Sequence, residues 1–253
     1  IPRGRGSDDA AIARDPNRPT PADYFAHLKT SLIEIHGDRS GTSDPNLIAG
    51  IGQIEGVTVG LIGIRRAPLS AECFRTIVRL YRLAGQLECP IVSLIDSPGM
   101  AQVSAIEGAA LSNAIGQLMR VAVSLPVPTV SVVTGVASGP GSMALTIADR
   151  VYMLEHALFA TGGFDRPAQP GLSSSSQSGY WAARECLRLG IVDGVVPDDL
   201  AATAAVVRGA VRPAVGGVTG AGGDGPAVVP GRRLTRFDQA THRWLREGPE
   251  GSA

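Results

Sequence analysis

A run of small residues between two apolar segments is the part of this sequence best suited to chemistry. The small residues follow the apolar segment 127–133: Gly135, Ser138, Gly139, Pro140 and Gly141. A strand, a glycine-rich turn and a helix in this order leave the first N–H groups of the helix without carbonyl partners. Such groups can bind an anion or stabilise the negative oxygen of a reacting carbonyl. Taken alone, the turn favours the alternative, a close-packed turn in which glycine only avoids Cβ clashes.

The side chains that usually carry catalysis give weaker indications. Four histidines are present, none of them in a recognisable nucleophile motif: His27, His36, His156 and His242. There is no G-x-S-x-G sequence, and Ser138 is expected to be a turn residue rather than a nucleophile. Asp96 is expected to cap the turn that follows it, and Glu107 is expected to be exposed. Any catalysis should therefore depend on backbone donors and positioning.

The composition is typical of a globular protein without a general affinity for nucleic acids or membranes. Of the 253 residues 44% are hydrophobic, and 23 basic residues balance 23 acidic ones. This balance gives no reason to expect nucleic acid or anionic lipid as a partner. The uncharged segment 121–148 could span a bilayer, but its prolines and polar residues favour a buried core. No dinucleotide fingerprint or P-loop is present.

The cysteines favour neither a metal site nor a disulfide framework. Cys73, Cys89 and Cys186 are far apart and form no C-x-x-C pair. Their odd number and the polar first residues, which do not resemble a signal peptide, predict a reducing cytoplasm. No metal is expected in this chain.

The small-residue turn requires strands and helices that position it. Leu47–Ile54 and Val57–Ile64 are predicted strands joined as a hairpin at Glu55-Gly56. A further strand over 91–95 ends in Asp96-Ser97-Pro98-Gly99, which is typical of a strand that opens on a cleft. Shorter strands are predicted at 151–154 and 191–195. Strands alternate with helical patterns through the middle of the chain, which predicts the α/β class.

Helical signals flank these strands. Thr20-Pro21-Ala22-Asp23 is a capping box with proline at the first helical position, and it predicts a helix to about Ile35. Arg75, Arg79 and Arg82 share one face of a second predicted helix, where solvation is expected and phosphate binding is the alternative. Later helices are predicted over 179–189 and 201–211. Another predicted helix has small residues that suggest close helix packing, and its apolar positions are Ile106, Ala109, Ala110, Ala114, Ile115, Leu118 and Met119.

Composition also suggests domain limits. Residues 1–18 are predicted to be disordered or extended, and 19–212 are predicted to form one domain. Residues 213–231 are rich in glycine, proline and alanine and are predicted to be a linker. Residues 232–253 are predicted to be a basic helix with a tail. A mobile loop is expected at 167–178.

Several short motifs, in this order, resemble one known family. It is the α-type carboxyltransferase subunit of bacterial acetyl-CoA carboxylase, of the crotonase-like superfamily, and the resemblance covers about residues 14–200. The N-terminal Arg18-Pro19-Thr20 with Asp23-Tyr24 also resembles this family. The ordered motifs are His36-Gly37-Asp38-Arg39, residues 47–50, Asp96-Ser97-Pro98-Gly99, residues 135–145, residues 149–155 and residues 189–193.

The resemblance implies a fold, an activity and partners. The fold would be a crotonase-like superhelix of ββα units, and the activity would transfer carboxyl groups from carboxybiotin to an acyl-CoA thioester. A β-type subunit or domain would bring a zinc ribbon and most of the CoA site. A biotin carboxyl carrier protein would deliver the carboxybiotin, and the complex would be an α2β2-like hetero-oligomer. The implied setting is cytoplasmic fatty acid biosynthesis, with malonyl-CoA as the product.

The resemblance also assigns roles within the turn. The family has glycine N–H donors for the biotin ureido oxygen at the positions of Pro140 and Gly141, next to Gly139. Pro140 has no N–H, so Gly141 is the remaining donor of this pair. The resemblance places the biotin-facing pocket at four positions: Gly99, Met100, Ser138 and Gly163.

This chain departs from the family where function is expected. The basic insertion after the second hairpin strand is reduced to residues 65–71, and residues 161–165 replace a segment that lines the site in the family. Two other functions therefore stay open. One is a biotin-independent decarboxylase or another enzyme that transforms thioesters, and the other is a non-catalytic partner that stabilises a β-type subunit.

Overall fold

The computed structural model describes residues 5–39, 43–99, 104–160 and 180–216, together with Arg233 and Thr235. Nine strands and seven helices lie in this described part of the chain. The strands are β1 Ser31–Glu34, β2 Leu47–Ile54, β3 Val57–Ile64, β4 Ile91–Ser97, β5 Thr129–Ser138, β6 Arg150–Leu154, β7 Leu158–Ala160, β8 Trp181–Ala182 and β9 Gly194–Val196. The helices are α1 Arg5–Ala13, α2 Pro21–His27, α3 Ala71–Gln86, α4 Ala105–Ser124, α5 Gly139–Leu145, α6 Ala183–Leu189 and α7 Leu200–Gly216.

One mixed sheet organises the molecule. Its main path runs β1-β2-β3-β4-β5-β6-β9, and β7 with β8 extends from the end of β5. The first three strands are antiparallel, whereas β3, β4, β5, β6 and β9 are parallel to their neighbours. The predicted hairpin is confirmed, since Ile54 pairs with Val57 and both Glu55 and Gly56 have positive φ. This is the backbone pattern of a tight hairpin turn that matches the strand twist.

Strand β5, in the interior of the sheet, lies in the core of the protein. All ten residues of β5 are buried, α3 packs against β2 and β3, and α4 packs against α3 and α5. The buried side chains are mainly Leu, Ile, Val and Ala. The prediction that the uncharged segment is protein core is therefore confirmed for β5. None of the helices in the described ranges has the length and apolarity needed to cross a bilayer.

Strand β1 was not predicted, because the expected helix to Ile35 ends at His27. Residues after Lys29, which has a φ of 54°, pair with β2 instead. Gly50 and Gly52 allow this pairing, since a Cβ atom at either position would overlap a carbonyl oxygen of β1. The strand thus depends on two glycines that lie about twenty residues later in the sequence.

Four other boundaries differ from the prediction. The disordered or extended state predicted for 1–18 is wrong for α1, and Ala13 at its end packs against Val136 and Leu158. Helix α6 begins at Ala183 rather than 179, because β8 precedes it, and α7 continues to Gly216. The last short strand lies at 194–196 rather than 191–195. The predicted loop at 167–178 lies outside the described residues, as do 217–231 of the predicted linker and most of the C-terminal segment.

The predicted apolar face of α4 is only partly buried. Ile106 is 85% exposed, and Ala109 and Ala110 are also exposed. The residues that α4 buries lie further along the helix: Leu111, Ala114, Ile115, Leu118 and Ala122. The first turns of α4 therefore leave an apolar surface in this chain.

Two of the three arginines of α3 contact the segment between β1 and β2, whereas Arg82 is exposed as expected. Arg75 donates to Asp38 Oδ2 at 2.6 Å, and the Asp38 side chain is fully buried. Arg79 donates to the carbonyl oxygens of His36 and Gly37. The expectation of a solvated face is therefore wrong for Arg75 and Arg79, which hold the turn between β1 and β2.

Arg233 links the C-terminal segment to the core. Its guanidinium lies 2.6 Å from Asp149 Oδ2, and the two side chains are 3% and 7% exposed. The same guanidinium donates to the carbonyl oxygen of Ala122 in α4 and to those of Leu125 and Val127, which follow this helix. Arg233 therefore connects the end of α4, the segment before β5 and the residue before β6.

Candidate active site

Two turns meet at the carboxyl ends of β4 and β5. The strands are parallel neighbours, and Ser97 pairs with Ala137. A Cβ atom built on Gly99 would lie 3.6 Å from Ser138 Oγ, so the turn after β4 lies beside the end of β5. The carboxyl ends of parallel strands are where α/β proteins usually bind ligands. The structure thus brings together Gly99 and Ser138, whereas Met100 and Gly163 lie outside the described residues.

The chain passes directly from β5 into α5 at this place. Ser138 is extended, and Gly139 has a φ of 72°, a left-handed conformation that glycine adopts without strain. Gly139 and Gly141 are buried, and Pro140 is exposed. The N–H groups of the first helical turn have no intrahelical carbonyl to bind. Since Pro140 has no N–H, the first turn can offer the N–H groups of Gly139 and Gly141.

Packing alone also explains the glycines of this turn. A Cβ atom on Gly141 would lie 2.5 Å from Cζ of Phe74, a fully buried ring of α3. A Cβ atom on Gly135 would overlap the carboxylate of Asp96. The close-packed turn expected from the sequence is therefore present, and it coexists with the backbone donors.

Asp96 fixes the end of β5 rather than the turn after β4. Its carboxylate is nearly buried and accepts from the Val136 N–H at 3.0 Å through Oδ1. Its other oxygen accepts from Arg66 Nε at 2.9 Å. The expected capping of the following turn is wrong, because Ser97 Oγ makes that local contact with the Gly99 N–H at 3.3 Å. Arg66 was not singled out from the sequence, although Arg65-Arg66-Ala67-Pro68 marks the end of β3.

The remaining titratable candidates have structural environments. Glu107 is exposed, as expected, and forms a capping box with Ser104 that lowers the pKa of its carboxyl. Burial raises the pKa of the Cys73 thiol well above its ordinary value and that of Cys186 to about 12, so both remain weakly reactive thiols. In the described part of the chain, no group of His, Cys, Asp and Glu is arranged to hold a metal ion. His156 Nδ1 lies 2.9 Å from the Asp9 carboxylate.

Comparison with protein families gives one clear match. The family described as "Acetyl co-enzyme A carboxylase carboxyltransferase-like" matches residues 5–212. A protein of Salinispora arenicola named "Acetyl-coenzyme A carboxylase carboxyl transferase subunits beta/alpha" is 33% identical over 217 residues. That match covers 78% of this chain and 38% of the Salinispora protein, so the chain spans well under half of that relative. The carboxyl transferase subunit alpha of Staphylococcus epidermidis is 32% identical, over 76% of this chain and 67% of its own.

Solved structures confirm the predicted crotonase-like α/β fold. A chain of the Pseudomonas malonate decarboxylase hetero-tetramer in complex with malonate superposes with a TM-score of 0.69. It is 15% identical, and the match covers 96% of both chains. The β subunit of Pseudomonas aeruginosa geranyl-CoA carboxylase superposes with a TM-score of 0.64 at 16% identity, over 80% of this chain and 43% of its own. At these identities the likeness concerns the fold alone.

Proposed function

The chain belongs to the acetyl-CoA carboxylase carboxyltransferase-like family, as its ordered motifs predicted, and from this premise we propose its role. It acts as the α-type half of an acyl-CoA carboxyltransferase. The reaction moves a carboxyl group from carboxybiotin, carried on a biotin carboxyl carrier protein, to an acyl thioester with a malonyl-type product. Relatives that are 30% and 32% identical to this chain are named subunit alpha, which supports the role.

The observation that supports this chemistry is the turn at the carboxyl ends of β4 and β5. Carboxybiotin supplies an activated carboxyl group, and its transfer leaves negative charge on the ureido oxygen. Fixed backbone N–H donors stabilise such an oxygen without a side-chain base. In this chain the Gly141 N–H is the proposed donor, with Gly139 beside it. Because Pro140 has no N–H, this turn offers the ureido oxygen one of the two donors found in the family.

Neighbouring side chains hold the proposed donors in place. Phe74 packs against the Cα of Gly141, and Asp96 holds the Val136 N–H within β5. The Ser97 hydroxyl fixes Gly99 by accepting from its N–H and donating to its carbonyl. These contacts restrict the backbone before any substrate binds, and preorganised donors are the ones that stabilise a transition state most effectively.

The activity is tested with the full chain, a β-type partner from the same source, carboxylated carrier protein and a panel of acyl-CoA substrates. The expected result is a carboxylated acyl-CoA product that depends on both protein halves. Pro140→Gly is expected to increase turnover, because it restores the missing N–H donor. Pro197→Gly is the matched control, since Pro197 is exposed and lies between β9 and α7. Absence of product with every acyl-CoA would reject the proposal.

We further propose that the β-type half contacts the start of α4. This helix begins six residues after Gly99, and its exposed Ile106, Ala109 and Ala110 form an apolar surface on its first turns. The Salinispora relative carries both halves in one polypeptide, which supports a lasting contact between them. Ile106→Glu is expected to weaken co-purification with the partner. Leu187→Glu, at a side chain that is 42% exposed on α6, is the control. Equal co-purification of both variants would contradict this surface.

The same partner contact would build the proposed α2β2-like assembly. Its stoichiometry is measured by sedimentation of the mixed halves, with the separate halves as references. A mass that corresponds to a single pair would contradict the tetramer while leaving the catalytic proposal intact.

A specific feature also favours the biotin-independent alternative. Pro140 removes a donor proposed for the ureido oxygen, and the likeness to the malonate decarboxylase chain extends over 96% of both chains. The discriminating measurement is CO2 release from malonyl thioesters, bound to CoA or to a carrier, without biotin. Release under these conditions would favour decarboxylation, whereas carboxyl transfer that requires the carrier would exclude it as the main activity.

A further inference from the structure

Strand β5 has an irregularity immediately before the turn at 138–141. The pairing of β4 with β5 shifts its register at Asp96, so that residues 134–136 of β5 stand opposite this one residue of β4. Such β-bulges change the direction of a strand, and they are common next to active sites. We refer to residues 134–136 as the bulge. Its conformation sets the position from which the chain enters the turn.

Charged side chains contact the backbone of every residue of the bulge. Asp96 Oδ1 accepts from the Val136 N–H at 3.0 Å. The same carboxylate lies against Gly135, where a Cβ atom would stand 2.4 Å from Oδ1. Arg18 donates to the Thr134 carbonyl at 2.7 Å. Asp96 is therefore the side chain that contacts the two bulge residues nearest the turn.

Arg66 holds the Asp96 carboxylate in this position. Its Nε donates to Asp96 Oδ2 at 2.9 Å, and the Asp96 side chain is 7% exposed. Its Nη1 donates to the carbonyl oxygens of Arg14 and Asp15, in the loop after α1. Because a guanidinium is planar, it fixes the direction of its partner as well as balancing its charge. Arg66 therefore connects the loop after α1 to the bulge through Asp96.

The end of α1 also packs directly on this part of β5. Ala13 is fully buried and lies in an apolar cluster with Val136 and with Leu158 of β7. The two carbonyl oxygens that Arg66 binds follow Ala13 by one and two positions. An apolar contact and a hydrogen-bonded one thus link the same segment to the bulge.

We propose that Arg66 is a positioning residue for the reaction at this turn: by holding Asp96 against the bulge, it fixes the place from which Gly139 and Gly141 present their N–H groups. The role of Arg66 in carboxyl transfer rests on the proposed function. Arg66 acts through Asp96 and needs no contact with the substrate. Since these donors stabilise charge that develops in the transition state, the loss of Arg66 should lower turnover more than substrate binding.

The kinetic test uses the full chain assembled with its β-type partner and supplied with carboxylated carrier protein. Arg66→Met is expected to lower kcat about 10-fold to 100-fold, the effect of a small misplacement of a catalytic group, and to change the KM for acyl-CoA less than about twofold. Arg65→Met is the matched control, because Arg65 is the preceding residue, is exposed and donates to the Pro45 carbonyl at 3.0 Å. With an active parent, an unchanged kcat in Arg66→Met or an equal fall in Arg65→Met overturns the proposal.

Amide hydrogen exchange, followed by NMR, measures the position of the bulge without the reaction. In Arg66→Met the Val136 N–H is expected to exchange about fivefold to tenfold faster, the equivalent of one weakened hydrogen bond. The N–H of Val132, fully buried in the same strand, should keep the rate of the parent. A purely structural role would lower global stability and speed exchange at both positions. Equal acceleration at both, or unchanged exchange at Val136, overturns the proposal.

The two measurements separate this role from the proposed function. Faster exchange at Val136 alone, in a chain whose parent forms no carboxylated product, would reject carboxyl transfer and support the link from Arg66 to the bulge. Product formation by the parent with unchanged kcat in Arg66→Met would support carboxyl transfer and overturn the role of Arg66.

A conservative variant keeps the proposal testable if Arg66→Met does not fold. Arg66→Lys keeps a positive charge beside Asp96 but lacks the planar group that binds the carboxylate and the carbonyl oxygens together. It is expected to keep the urea midpoint of the parent while kcat falls about threefold or more. A kcat equal to that of the parent in this variant would overturn the proposal.

Discussion

Removal of the Arg233 side chain is expected to destabilise the whole domain. In Arg233→Met a flexible apolar side chain replaces the guanidinium, and the Asp149 carboxylate stays in a site where it is 7% exposed. Asp149 keeps the Thr129 N–H and hydroxyl as donors, at 2.8 and 3.1 Å, but loses both contacts to Arg233. The carbonyl oxygens of Leu125 and Val127 also lose a donor.

The expected loss follows from the burial of this pair. Breaking a buried ion pair by removing one partner typically costs about 3–5 kcal/mol, since the buried charge that remains loses its matched guanidinium. For a chain of this length, a loss of that size lowers the midpoint of thermal unfolding by about 6–20 °C. The double variant Arg233→Met/Asp149→Asn removes the remaining charge as well. It should therefore be more stable than the sum of the two single changes predicts.

The assay is urea unfolding of the full chain, followed by far-ultraviolet circular dichroism. Arg188→Met is the control, because Arg188 pairs with Glu185 at the surface, where the side chains are 49% and 41% exposed. Such a pair contributes about 0.5 kcal/mol or less. If Arg233→Met and Arg188→Met lower the free energy of unfolding equally, the C-terminal segment does not stabilise the core through Arg233.

Three further predictions concern the turn and the buried acids. Gly141→Ala should lower the free energy of unfolding by about 1–3 kcal/mol, because its Cβ meets Phe74, whereas Gly116→Ala on the open side of α4 should raise it by about 0.5–1 kcal/mol. Equal effects in urea unfolding would refute the packing argument. Pro140→Gly should raise turnover about 100-fold to 1,000-fold if the restored N–H reaches the developing oxyanion, and a steady-state assay with unchanged turnover would contradict this. Stability should also fall as the pH rises from about 8.5, the ordinary pKa of a cysteine thiol, towards 12. Burial raises the pKa of four groups, so in this pH range they stay protonated in the folded state and ionise in the unfolded state: Tyr24, Cys73, Tyr81 and Cys186. A urea midpoint that does not change across this pH range would contradict these pKa shifts.

The local parts of the fold could be predicted, because their signals lie within a few neighbouring residues. The hairpin of β2 and β3 depends on Glu55-Gly56, and the start of α2 depends on its capping box and proline. The turns after β4 and β5 could also be predicted, because their glycine and proline residues are evident in the sequence. The pairing of β1 with β2 could not be predicted, because it requires Gly50 and Gly52 to receive a strand from elsewhere.

For the candidate site, the sequence by itself determined the small-residue turn, the missing N–H of Pro140 and the family to which the chain belongs. Only the tertiary structure decided what surrounds that turn. Asp96 reaches Val136 across forty positions of the chain, and the ring of Phe74 on α3 lies where a Cβ atom on Gly141 would stand. Hydrogen bonds and packing act over a few ångströms in space, whereas sequence patterns report mainly on neighbours along the chain. The sequence therefore identified the residues of the turn, and the fold determined which side chains hold them.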